Sequence, residues 1–161
     1  MALPEILSRA VTGWASFYGD HRIVSVTVRY LHLAGLLVGG GTALALDRRV
    51  LAARRRQELE RRAVLDALGG SHRVVVPALG LVMLTGVLMT ASDTATFFAS
   101  RLYWAKMGLV TLLLANGAGL LLAEHRARRI GGWTWLGAAS ALSMALWLLI
   151  LYVGAWLTVA A

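Results

Sequence analysis

The stretch "IVSVTVRYLHLAGLLVGGGTALAL", Ile23 to Leu46, contains a single side chain that is charged at every physiological pH, Arg29. Wound as a helix it extends about 36 Å at roughly 1.5 Å per residue, enough to cross the roughly 30 Å hydrocarbon core of a bilayer. Three further apolar stretches reach comparable lengths: Val74 to Thr90, Leu102 to Ala123 and Trp133 to Ala160. The whole 161-residue chain is 58% hydrophobic and 15% charged, with a mean hydropathy of +0.69. That is too apolar for a water-soluble domain of this size.

Backbone groups in lipid must find their partners within the chain, which leaves helices or closed barrels. Barrel strands are about ten residues long and alternate in polarity, so these runs read as helices. The sequence therefore predicts an all-α integral membrane protein, with an antiparallel four-transmembrane-helix bundle over residues 21–161. Short connections make successive helices antiparallel neighbours. Small residues at four-residue spacing, Gly35 and Gly39, Ala115 and Gly119, and Gly137, Ala141 and Ala145, form strips for close helix packing.

Residues 1–20 read differently. In "LPEILSRAVTGWASFY", Leu3, Ile6, Leu7, Ala10, Val11, Trp14 and Tyr18 recur at helical spacing, the stripe of an interfacial amphipathic helix. Gly19 and Asp20 are expected to break it, with Asp20 capping the first spanning helix. No compact apolar core with a small-residue cleavage site precedes that helix, which is expected to serve as its own insertion signal.

The net charge of +8 is distributed unevenly. Eight arginines lie from Arg48 to Arg73, and Arg126, Arg128 and Arg129 follow the third span. Both clusters fall on one side of the bundle, so they read as a topology signal rather than a nucleic-acid surface. They place these loops in the cytoplasm and both termini outside, on the periplasmic side if the membrane is the cytoplasmic (inner) membrane of a Gram-negative bacterium. The expected partners are the lipid bilayer with its anionic headgroups, other membrane subunits or a second copy of the chain, and no nucleic acid. The first cytoplasmic segment is expected to be helical until Gly69-Gly70 stops it, with Ser71 capping the second span and Pro77 in its first turns.

An ionisable group deep in a span costs roughly 2.5 to 3.5 kcal/mol on insertion scales, which makes it a functional candidate. Three qualify: Arg29, His32 and Lys106, the last being the only lysine beside fifteen arginines. A weak internal echo with a 77-residue shift lays Arg29 over Lys106 and puts His32 about 4.5 Å deeper than the lysine. The two can share a pocket in the outer half. Arg29 also has a plain reading as a residue that snorkels to the headgroups. His32 reads either as a histidine bonded to a neighbouring helix or as a ligand or proton carrier.

His72 and His125 sit beside arginines at the cytoplasmic helix ends, where polar residues are ordinary. His32 and His125 differ in depth by roughly 20 Å, so they cannot ligate one haem together. Met83, Met89 and Met144 are the other soft donors. Without cysteine, thiolate sites and covalently attached haem are excluded. No phosphate loop, catalytic triad spacing or paired membrane carboxylate is legible.

The segments "HLAGLLVGGGTALALDRR", "PALGLVMLTGVLM" and "LYWAKMGLVTLLLAN" resemble the small bacterial four-helix membrane proteins of the HemJ/CopD-like group, over roughly residues 24–130. The matching positions are His32, Gly35, Arg48, Pro77, Gly86, Trp104 and Lys106. The resemblance implies handling of haem b or a porphyrin, with His32 as the axial metal ligand and Lys106 near a propionate. Asn116-Gly117 stands where HemJ-like third helices carry a Tyr-His pair, which points to a further relative rather than to the oxidase. Two readings result. In one, an outer-half pocket binds haem b for electron transfer or oxidation, with Arg29 and Lys106 on the propionates and Tyr103 and Trp104 at its mouth. In the other, the chain is a non-enzymatic accessory subunit, small transporter or metal-handling module.

Overall fold

A computed structural model of the chain describes residues 3–53 and 58–160. Among the described residues every regular element is helical, and four helices are long and apolar enough to cross a membrane: Arg22–Ala53, Leu59–Ser92, Arg101–Ile130 and Trp133–Val159. These are the first to fourth long helices below. Two shorter helices accompany them, an N-terminal one at Leu3–Asp20 and a six-residue turn of helix at Thr94–Ala99. The long helices turn large apolar side chains such as Leu33, Leu37, Leu122 and Tyr152 outward, a surface that suits lipid.

Several boundaries differ from the sequence expectation. The N-terminal helix runs through Gly19 and Asp20, and the chain breaks at His21 (φ −108°, ψ 87°). Asp20 therefore does not cap the first long helix; its carboxylate accepts a hydrogen bond from Ser16 Oγ at 3.2 Å, one turn back. Gly69-Gly70 does not stop a helix either. The second long helix belongs to one continuous helix, Glu58–Ser92, of 35 residues. Ser71 Oγ bonds back to Leu68 O at 2.7 Å inside it and caps nothing. Pro77 consequently lies mid-helix rather than in a first turn. At roughly 1.5 Å per residue this helix is about 52 Å long, so over 20 Å of it projects beyond a core of about 30 Å. Residues 54–57, for which the sequence predicts continuing helix, lie outside the described residues, as do the side chains of Leu3, Ile6, Leu7 and Ala10 in the N-terminal stripe.

The caps that do form are local. Asp93 accepts from the Thr96 amide at 3.1 Å, and Ser100 Oγ accepts from the Tyr103 amide at 3.4 Å to start the third long helix. Gly131, at φ 78°, ends that helix in the left-handed conformation that glycine adopts without strain.

Glycines in the first long helix set the packing. A methyl group at Gly35 would stand 2.8 Å from Val82 Cγ2, and one at Gly39 would stand 2.9 Å from Ala78 Cβ. At Gly40 it would meet the Trp147 ring at 3.0 Å. Without a hydrophobic drive between helices in lipid, such close approach is how dispersion holds them together. Around these glycines the backbone widens into a π-helical turn, Leu36–Gly40. Beyond it the first long helix changes neighbours: Arg22–Gly35 packs on the second long helix, whereas Gly41–Ala53 packs on both the second and the fourth.

Two apolar clusters result. One lies mid-length, where Leu113, Leu146, Trp147 and Ile150 meet Leu36 and Leu79. The other lies toward the arginine-rich end and joins Val50, Leu65, Leu68, Ala123 and Leu136 from all four long helices. The N-terminal helix docks on the opposite end of the second long helix, with Trp14 Nε1 donating to Leu88 O at 2.8 Å.

Candidate functional site

One turn before the π-helical turn, the first long helix presents His32 to the second. The ring is 9% exposed, and its Cε1 lies 3.5 Å from the point where a side chain on Gly86 would begin. His32 Nδ1 is 2.9 Å from Thr85 Oγ1. The threonine hydroxyl has one proton, and it is committed to the helix backbone: Oγ1 donates to Leu81 O at 2.6 Å, with Val82 O at 3.1 Å. With that proton on Leu81 O, Thr85 accepts from the Nδ1–H tautomer of His32, and in that tautomer Nε2 keeps its lone pair. A hydrogen bond of this kind, to the nitrogen that is not the ligand, fixes the orientation of metal-binding histidines.

Lys106 on the third long helix is near enough to act electrostatically on His32. Its ammonium lies against the fourth long helix, with Nζ 3.6 Å from the Cβ position of Gly154. The structure thus puts Lys106 within electrostatic range of His32, with Thr85 as a member the sequence reading did not select.

Among the described residues, the others selected from the sequence make no hydrogen bond, ion pair or ring contact with this pair. Arg29, one turn before His32, is exposed. Tyr103 and Trp104 join Phe97 and Phe98 in an aromatic group, with ring centroids 5.5 to 5.9 Å apart. Trp104 Nε1 donates to Phe98 O at 3.0 Å. Aromatic residues gather in this way at membrane–water interfaces. Met83 is exposed and, two residues from Thr85, lies on the far side of its helix.

A second polar group lies at the arginine-rich end. Glu124, 9% exposed, is 3.2 Å from His72 Nε2 and accepts from Arg128 Nη2 at 2.9 Å. Arg128 also bonds Asp66 at 3.0 Å and the Leu65 carbonyl. Gly69 leaves room for this group, since a Cβ there would stand 3.3 Å from Arg128 Nη2 and 3.6 Å from Glu124 Oε1. His72 is thus an interhelical partner. His125 is exposed. A cavity of about 470 Å³ opens beside this group, between Arg61, Asp66, Arg128 and Trp133; no imidazole lines it.

The donor chemistry around His32 fits a group that takes one imidazole nitrogen and carries acidic arms, because the Nδ1–H tautomer bonded to Thr85 leaves Nε2 as a donor atom and Lys106 supplies a cation. Such a group fits only away from the second long helix, which is in van der Waals contact with the first at Gly35 and Gly39. No family model matches the chain, and no curated protein or solved structure matches it either.

Proposed function

We propose that this chain is a multi-pass protein of a bacterial cytoplasmic membrane that binds haem b or a related porphyrin through His32. In this reading the four long helices run antiparallel in sequence order. The arginine-rich end faces the cytoplasm by the positive-inside rule, and both termini face outward. The N-terminal helix lies at the outer interface, tethered by the Trp14–Leu88 bond.

The observation that carries the reading is the Thr85–His32 hydrogen bond, which directs the proton to Nδ1 and leaves Nε2 to bind a metal. His32 would hold the haem iron through its imidazole, with Thr85 fixing the side chain. Lys106 and Arg29 would offset the charge of its propionates, and the apolar helices would keep water from the site. When bound, the haem supplies one-electron redox chemistry.

Titration of the purified, detergent-solubilised chain with haemin tests this. Saturation at one haem per chain, with a sharpened visible spectrum, is expected. A featureless response proportional to added haemin, identical to that of detergent alone, overturns it.

A further inference from the structure

The first long helix carries a second ionisable group that the haem reading does not use. Asp47 is 3% exposed, although the sequence runs directly from it into Arg48 and Arg49, both exposed. Opposite it on the fourth long helix stand Ser140 and Ser143, 0% and 3% exposed, near enough to interact with its carboxyl group. Three residues apart, the two serines share one helix face. Even so, Asp47 Oδ2 and Ser140 Oγ are both buried without a hydrogen-bond partner among the described residues.

The site is well inside the helix pair. Ser140 and Ser143 lie seven and ten residues from Trp133, the start of the fourth long helix, or about 10 to 15 Å along it. A carboxylate at that depth is costly unless a cation pairs with it. Among the described residues no ion pair to Asp47 is formed, and Arg61 donates to Ala53 O and lies over the Trp133 ring. His72, Glu124, Arg128 and Asp66 are engaged with one another, and the fourth long helix presents only the serine hydroxyls.

We infer that Asp47, Ser140 and Ser143 form a proton-binding site within the membrane, in which Asp47 is held as the neutral acid. The added proton removes the charge that burial penalises and makes the carboxyl group a donor as well as an acceptor toward the two serine hydroxyls that face it. A metal cation is disfavoured by the backbone. Sodium sites in membrane proteins draw on carbonyls from unwound helix. The first long helix is regular from Gly41 to Ala53 and the fourth from Trp133 to Ala160, so their carbonyls at this level are already bonded. The site is separated from His32 by fifteen residues, about 22 Å of helix, and does not depend on the haem reading.

Infrared spectroscopy of the full chain in lipid vesicles at neutral pH tests the proposal by resolving the carbonyl stretch of a protonated carboxyl group. A band of one such group is expected in the wild type. It should be lost in Asp47→Asn, shifted to that of a more weakly bonded acid in Ser140→Ala, and unchanged in Glu124→Gln. If Asp47→Asn does not fold, the Ser140→Ala shift carries the test. Absence of the band from the wild type, or its persistence in a folded Asp47→Asn chain, overturns the proposal. Disappearance of the band when choline chloride is exchanged for sodium chloride assigns the site to sodium and overturns it as well.

Discussion

The imidazole of His32 and the hydroxyl of Thr85 meet at 2.9 Å across the first and second long helices. The direction of that bond follows from the hydroxyl's own donation to Leu81 O. Thr85→Val keeps the shape and removes the acceptor, which frees the ring and its tautomer. Loss of such a partner typically weakens metal affinity 10- to 100-fold. The expected outcome is haemin affinity reduced by roughly that factor in Thr85→Val and restored in Thr85→Ser, measured by absorption titration.

Lys106 tests the charge side of the same site. Its ammonium is half-buried near His32 and has no ion-pair partner among the described residues. Lys106→Met is therefore expected to leave thermal stability unchanged or slightly raised, because it removes a desolvated charge. Haemin affinity should fall by about tenfold, equivalent to roughly 1.4 kcal/mol. Equal affinity for haemin in the two proteins would separate the lysine from the ligand.

Gly39 and Gly41 make an internal comparison of packing. A methyl at Gly39 collides with the Ala78 methyl at 2.9 Å, whereas one at Gly41 meets nothing within 4 Å. Gly39→Ala should destabilise by about 1 to 3 kcal/mol, the usual range for overpacking. Gly41→Ala should be neutral or stabilising by up to about 1 kcal/mol, through helix propensity. Thermal unfolding of both variants in one detergent gives the ordering.

At the arginine-rich end, the cost of losing each acid should follow its burial. Glu124 is largely buried and joins His72 to Arg128, while the Asp66 side chain is 76% exposed. Glu124→Gln is expected to cost about 1 to 3 kcal/mol, the range for a buried group that loses charged hydrogen bonds. Asp66→Asn should cost about 0 to 1 kcal/mol, as for a surface pair. Denaturation midpoints in matched detergent check that order.

The four long helices were legible because hydropathy summed over about twenty residues outweighs any local signal. Local signals were the ones that misled. Gly69-Gly70 looked like a helix stop, since each glycine costs about 1 kcal/mol in a helix. Packing overrides that cost because Gly69 makes room for Arg128 and Glu124. Asp47 followed by two arginines read as part of a continuing cytoplasmic helix; the helix is there, and Asp47 is buried because that face of it turns to the fourth long helix. The available clue was the Ser140/Ser143 pair, two hydroxyls on one face of an otherwise apolar helix. Thr85 was passed over because a lone threonine in a span usually bonds its own backbone. It does so, and its remaining acceptor capacity is what His32 uses. His32 and Lys106 stood out because charge and imidazole are rare at such depth, but the electrostatic reach between them depends on packing that no single segment encodes.

The account rests most directly on His32 Nε2 as the ligand of a haem. The deciding measurement is the absorption spectrum of the chain purified from haem-replete cells, compared with that of His32→Ala prepared identically. A Soret band in the wild type that is abolished in His32→Ala, with the variant still eluting as a folded species, is the predicted result. A wild type with no Soret band even after haemin reconstitution, or a band of equal strength in both proteins, contradicts it.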